Sequence, residues 1–277
     1  MNFFKDLFSQ NETDTDIENF VNDSLEHINE TNEPDFTMKE LISAIKWLKS
    51  NKAVGPDGIP AEIFKECSTE ILEVLLLIMN FVKNKSNYPN NWAWSITSLL
   101  FKEGDDTDPN NYRAISVADA ISKILAIMLN NRLEEWNKEN KIIRKEQIGF
   151  KKLSRPSDHL LVLKTLIDIY NNEGKKLFAC FVDFQKAFDS VWRVGMFYKL
   201  IKFGMNKNLV KIIKNMYNKT RMSLKINNNI TPPFRTHRGV RQGCILSPIL
   251  FNLFINDIPD MFDKSCDPVT LDSQSLN

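Results

Sequence analysis

The 277-residue chain has four cysteines, Cys67, Cys180, Cys244 and Cys266, and no two of them are close in sequence. Without a Cys-x-x-Cys pair, a zinc knuckle or a disulfide framework is disfavoured, and a reducing compartment fits best. Long apolar runs are scarce as well. The opening "MNFFKDLFSQ" has no apolar core of the kind a signal peptide needs. The longest greasy stretch, Ile71 to Val82, is interrupted by Glu73 and is too short to span a bilayer. These absences predict a soluble intracellular protein, cytoplasmic or nuclear, with no membrane contact. No internal repeat is visible. Net charge is nearly absent too, with 36 Lys and Arg against 35 Asp and Glu.

The balance hides a division. Residues 1–40 carry eleven acidic and two basic residues, which leaves 34 basic and 24 acidic over the remaining 237. An acidic leader and a basic body are compatible with nucleic acid, although such a surplus also occurs in proteins that never bind it. The 43 % hydrophobic content is ordinary for a globular chain of this size. Residues 1–34, polar and acidic, read as loosely ordered or as a short helix.

Beyond them the periodicity alternates. Thr37 and Glu40 form a capping-box pattern ahead of Leu41, Ile42, Ile45 and Leu48 at helical spacing. "NKAVGPDGIP" breaks that helix, and a second is expected from Ala61 to about Val82. "SITSLLF" (95–101) reads as a strand leading into the polar loop "KEGDDTDPNNYR". A long helix carries Ile121, Ile124, Leu125, Met128, Leu129, Leu133 and Trp136 on one face, and Asp158 reads as the cap of another. Residues 177–182 are apolar on both faces, which predicts a central, covered strand. Helices at 192–203 and 208–218, a hairpin turning at the Asn run after Met222, and a helix started by Ser247-Pro248 complete an α+β pattern.

Three stretches could carry chemistry. "FACFVDFQKAFDSV" places Asp183 at the end of the expected strand, where a carboxylate could be presented to a divalent ion or could cap the next turn. "RGVRQGCILSP" sets two glycines, two arginines and Gln242 before a helix start, a combination that suits phosphate or forms a solvated turn. "KEGDDTDPNNYRAIS" is bordered by Lys102 and Arg113, cations that could grip a triphosphate or stay solvated.

In this order, "AVGPDGIPAEIFK", "NYRAIS…KILAIMLNNRL", "QIGFKKLSRPSDH", "ACFVDFQKAFDSV" and "RGVRQGCILSPILFNLFINDI" resemble successive blocks of a non-LTR (LINE-type) retrotransposon reverse transcriptase. The resemblance covers roughly residues 50–260. It fits this type better than a group II intron-type enzyme, and it implies a right-hand polymerase fragment. On that reading an acidic leader (1–34) precedes a fingers-like region (35–175) and a partial palm with an incomplete antiparallel sheet (176–277). It also implies an RNA template, a DNA primer and dNTPs as partners, and two magnesium ions. Asp183 matches the first catalytic aspartate, and the backbone carbonyl of Phe184 is a further metal ligand. Phe188 matches the aromatic gate against a ribose 2′-hydroxyl. Gln242 and Gly243 match the turn that contacts dNTP and template, and Lys102 and Arg113 resemble the cations that hold the triphosphate. Asp189 has no catalytic match, so a capping or ion-pair role is expected for it.

The sequence also departs from the pattern. Ala114 and Ile245 stand where the family usually or often has Pro, and "KKLSRPSDH" replaces a more Gly-rich version. After "INDIPDMF" no aromatic-x-Asp-Asp block follows, because Asp263, Asp267 and Asp272 lie in a polar tail with no flanking apolar strand. The expectation is a reverse transcriptase fragment, cut before its remaining catalytic carboxylates and its thumb and inactive alone. The alternatives are a non-catalytic nucleic-acid-binding module or a non-functional pseudogene product.

Overall fold

A computed structural model describes residues 2–9, 13–26, 33–151, 154–227 and 229–261. Cys266, Asp263, Asp267, Asp272 and part of "KKLSRPSDH" lie outside the described residues. The acidic leader contains two helices, α1 (Asn2–Ser9) and α2 (Thr15–Glu26). Each buries one apolar pair spaced four residues apart, Phe4 with Phe8 and Val21 with Leu25. That spacing puts both members of a pair on one helical face. α3 (Met38–Trp47) begins with the expected capping box, in which Thr37 and Glu40 exchange bonds. The helix expected over 61–82 divides at Glu66–Ser68 into α4 (Ala61–Lys65) and α5 (Thr69–Lys85).

The strand read at 95–101 is β1 (Trp94–Phe101). It pairs antiparallel with β2 (Tyr112–Ala118), so the end of the expected polar loop is itself a strand. The amphipathic stripe becomes α6 (Ala120–Asn140), which buries Ile124, Leu125, Met128, Leu129 and Leu133. Asp158 caps α7 (Pro156–Asn172) from inside its first turn by accepting from the Arg155 amide at 2.8 Å. α8 (Arg193–Lys202) and α9 (Lys207–Asn218) lead to β3 (Arg221–Ile226), which pairs antiparallel with β4 (Asn229–Ile230). β5 (Phe234–Arg235) also pairs with β3. α10 (Leu246–Phe254) begins one residue before Ser247, whose hydroxyl donates to the Arg241 carbonyl at 2.7 Å instead of capping the helix. The short α11 (Ile258–Met261) ends the described chain.

The sheet order is β2-β1-β3-β4, with β1 and β3 parallel and the remaining ladders antiparallel. Helices α2, α3, α5, α6, α8, α9 and α10 pool their apolar faces into one core. A second, smaller cluster joins Phe4 and Phe8 of α1 to Ala114, Met222 and Leu224 on the sheet. The mixture of helix layers and a small sheet is the α+β class the sequence predicts.

The covered strand expected at 177–182 does not form. Among the described residues this segment enters no ladder, and Phe178 is 89 % and Phe181 83 % exposed. Strand propensity is completed by pairing and by a packed face, and neither is supplied here. α7 just before it is equally uncovered, with Leu160 and Leu161 on the surface. No helix among the described residues is long and apolar enough to cross a membrane.

Candidate functional site

Two turns far apart in sequence are fastened into one unit. Residues 185–190 turn tightly, with the Asp189 and Ser190 amides both donating to the Lys186 carbonyl. Residues 236–243 lie on this turn: Val240 N donates to Phe188 O at 2.7 Å, and Gly239 N to Val191 O at 2.8 Å. Gly239 has φ +79, and a Cβ there would stand 2.7 Å from the Asp189 carbonyl oxygen, so the two backbones meet with no room for a side chain. Next, Gln242 O accepts from Ser116 N of β2, and Gly243, at φ +98, passes against the Ser116 carbonyl. The "RGVRQG" block is therefore a bridge between the 185–190 turn and β2 of the sheet.

Arg193, the first residue of α8, locks the bridge. Its guanidinium is buried and makes five hydrogen bonds: Nε to Gly239 O, Nη1 to Tyr217 O and Thr236 O, Nη2 to Thr236 Oγ1 and Arg238 O. Burial lowers its pKa to about 10, and it remains a cation at neutral pH. Its planar fork reaches carbonyls on both sides of the turn, which the point charge of lysine would not do. Sequence reasoning missed Arg193, because its partners lie between 24 and 46 residues further along the chain.

A cavity of about 200 Å³ opens on the other side of Gln242 and Gly243. Trp47, Val54 and Ile59 form its apolar wall, and Lys123 and Arg241 add positive charge. Nη2 of the buried Arg241 is a donor with no hydrogen-bond partner among the described residues. The "AVGPDGIP" loop that walls the cavity is tied to the start of α6, since Asp119 Oδ1 accepts from the Asp57 amide at 3.1 Å. Burial chiefly, with the Asp57 charge adding to it, pushes Asp119 up to about 6. Burial pushes the Lys123 amine down. The Asp119 shift gives a stability prediction. Between pH 4 and 6 the folded chain holds a proton that the unfolded chain, near 3.8, has released. Stability therefore falls by about 2 kcal/mol as pH rises through that window. Chemical denaturation at a series of pH values should show the fall, and Asp119→Asn should flatten it.

The residues implied by the resemblance are only partly gathered here. Gln242, Gly243 and Phe188 belong to the fastened turns. The Phe188 ring packs between Phe150 and Phe251, at centroid distances of 5.6 and 5.1 Å. Asp183 and Phe184 lie exposed on the unpaired segment before the turn. Lys102 is exposed beside Glu103 at 3.7 Å, and Arg113 is exposed on the β2 face opposite Ala114. Among the described residues neither cation bonds to the 183–189 stretch. The link between the two regions is Lys186, whose Nζ donates to Asn110 Oδ1 at 2.7 Å and lies 4.5 Å from the Phe3 ring centroid of α1.

The two implied magnesium ions can be weighed against these donors. Among the described residues no group of three or more His, Cys, Asp or Glu side chains stands together. Magnesium usually takes one or two carboxylates with waters and substrate oxygens. The exposed Asp183 and a neighbouring carbonyl form part of such a set and do not by themselves fit two ions.

The profile of the family described as "Reverse transcriptase (RNA-dependent DNA polymerase)" matches residues 101–275. The chain belongs to the reverse transcriptase family. Among its relatives, "Probable RNA-directed DNA polymerase from transposon BS" of Drosophila melanogaster is 27 % identical over 223 residues, 80 % of this chain and 24 % of that protein. "Transposon TX1 uncharacterized 149 kDa protein" of Xenopus laevis is 28 % identical over 257 residues, 91 % of this chain and 20 % of the relative. "Retrovirus-related Pol polyprotein from type-2 retrotransposable element R2DM" of Drosophila melanogaster is 30 % identical over 209 residues, 73 % of this chain and 18 % of the relative. The chain spans about a quarter or less of the length of these curated relatives. The reverse transcriptase domain is that of a non-LTR retrotransposon, as the five sequence blocks imply.

Proposed function

We propose that this reverse transcriptase domain binds an RNA template paired to a DNA primer, with the Gln242–Gly243 turn and the adjoining cavity as the contact edge. We further propose that the chain alone polymerises little or no DNA. The observation that carries the reading is the Gln242–Gly243 pair, bonded between the 185–190 turn and β2 and lining a cleft rich in cations. Lys49, Lys52, Lys123 and Arg241 surround that cleft, and cations of this kind supply the salt-dependent part of nucleic-acid affinity. The exposed, unpaired setting of Asp183 supports the second half, since an unsupported carboxylate is poorly placed to hold an ion through a displacement. It also favours the non-catalytic module reading over one that needs Asp183.

Fluorescence anisotropy with a labelled template–primer duplex tests the reading. Affinity should fall at least about tenfold between roughly 50 and 200 mM salt. Gln242→Ala should weaken binding, and Asp183→Ala should leave it unchanged. A chain that binds no duplex at low salt, or binds equally well without Gln242, contradicts the proposal.

A further inference from the structure

The 185–190 turn carries a carboxylate, Asp189, to which the family resemblance assigns no catalytic role. Asp189 is 8 % exposed, and its Oδ1 accepts a hydrogen bond from Gln242 Nε2 at 2.6 Å. We propose that Asp189 is a positioning residue that fixes which end of the Gln242 amide is offered to nucleic acid. This rests on the reading of Gln242 as a contact residue.

A glutamine amide has a donor end and an acceptor end that differ little in shape, so an unrestrained Gln242 could offer either. An ionised carboxylate only accepts, so it binds the NH₂ end and turns Oε1 away from itself. Gln242 lines two spaces, the small one of about 20 Å³ that it shares with Asp189 and the larger cavity beside Lys123 and Arg241. With its NH₂ committed to Asp189, Gln242 offers the larger cavity a carbonyl acceptor. The complementary ligand group is a donor, such as a ribose hydroxyl or a base N–H.

The backbones on both sides of the pair are anchored: the Asp189 amide donates to Lys186 O and its backbone lies against Gly239, while Gln242 O accepts from Ser116 N. Burial pushes the Asp189 carboxyl above the usual range, against the Gln242 hydrogen bond and the charges facing it, Lys186 on its own turn and Arg238 on the bridge, which favour its ionised form. Arg193 and Arg241 line the same small space. On protonation Asp189 gains a donor, and the amide is then free to reverse.

Two readouts test the pair. The first is the Gln242 side-chain amide resonance in the ¹⁵N–¹H spectrum of the full chain. It should shift with pH as Asp189 titrates in the parent chain, and should not titrate in Asp189→Asn, which keeps the shape and one acceptor. The second is affinity for the template–primer duplex. Asp189→Leu should lose about tenfold, as expected for a charge-assisted bond. Gln242→Ala should lose a similar factor, and the double variant should lose no more than either. If Asp189→Leu does not fold, the pH response of the parent amide against that of Asp189→Asn decides the matter. Full affinity in Asp189→Leu with weakened Gln242→Ala overturns the positioning role alone. Full affinity in both overturns the contact role of Gln242 as well. An amide resonance that ignores pH in the parent chain removes the pair itself.

Discussion

Replacing Arg193 with methionine is expected to destabilise the protein by about 3–5 kcal/mol, because several buried carbonyls would each be left without a donor at a cost of about 1–3 kcal/mol. Methionine fills much of the same volume but donates nothing. The carbonyls of Tyr217, Thr236, Arg238 and Gly239 would then lose their shared donor inside the fold. Arg193→Lys should recover part of the loss, because an ammonium keeps the charge and up to three donors but not the planar fork. Urea denaturation of the three proteins measures both steps. A loss below about 1 kcal/mol for methionine would mean that the guanidinium does not clamp the bridge, because three buried acceptors and one part-buried acceptor cannot lose their donor so cheaply.

The second large effect is expected at Gly239. Gly239→Ala should cost about 3–4 kcal/mol, combining a left-handed backbone that disfavours any Cβ with a clash against the Asp189 backbone. The clash is with main chain, so no side-chain rotation relieves it. Because relief must push the two turns apart, the substitution should also weaken duplex binding. An alanine variant with parent-like stability would show that the two turns are not in contact as described. Gly204 makes a useful control, since its positive φ faces open space and Gly204→Ala should cost only the conformational part, about 1 kcal/mol.

These effects centre on contacts that the sequence does not announce. Local signals survived well: Thr37 and Glu40 cap α3 as their spacing demands, most of the α6 stripe is buried, and β3 pairs antiparallel with β4. Each depends on neighbours within a few residues, which is the range over which a sequence pattern speaks. The Arg193 clamp instead joins the start of one helix to a turn more than forty residues later, and no local pattern encodes that. The leader, read as loosely ordered or as a short helix, holds two helices. Its acidic composition masks two apolar pairs, Phe4–Phe8 and Val21–Leu25, whose four-residue spacing was the available signal. Residues 177–182 failed in the opposite direction, with strong strand propensity and no ladder partner to satisfy it.

The candidate site divides in the same way. The family blocks pointed to Gln242, Gly243 and Phe188, and these sit on turns fastened to one another. Asp189, expected only to cap or to form an ion pair, instead holds the Gln242 amide. Lys102 and Arg113 are legible as cations, but strand alternation sends Arg113 to the face opposite Ala114, a consequence visible only once β2 is known to be a strand.

The central claim is that this domain engages template and primer without carrying synthesis alone. Primer extension on an RNA template, run with magnesium and all four dNTPs under conditions where anisotropy shows the duplex bound, tests it most directly. The account predicts a bound, salt-sensitive complex and no extension above the no-protein control. Magnesium-dependent DNA synthesis by this 277-residue chain, abolished by Asp183→Ala, would contradict it.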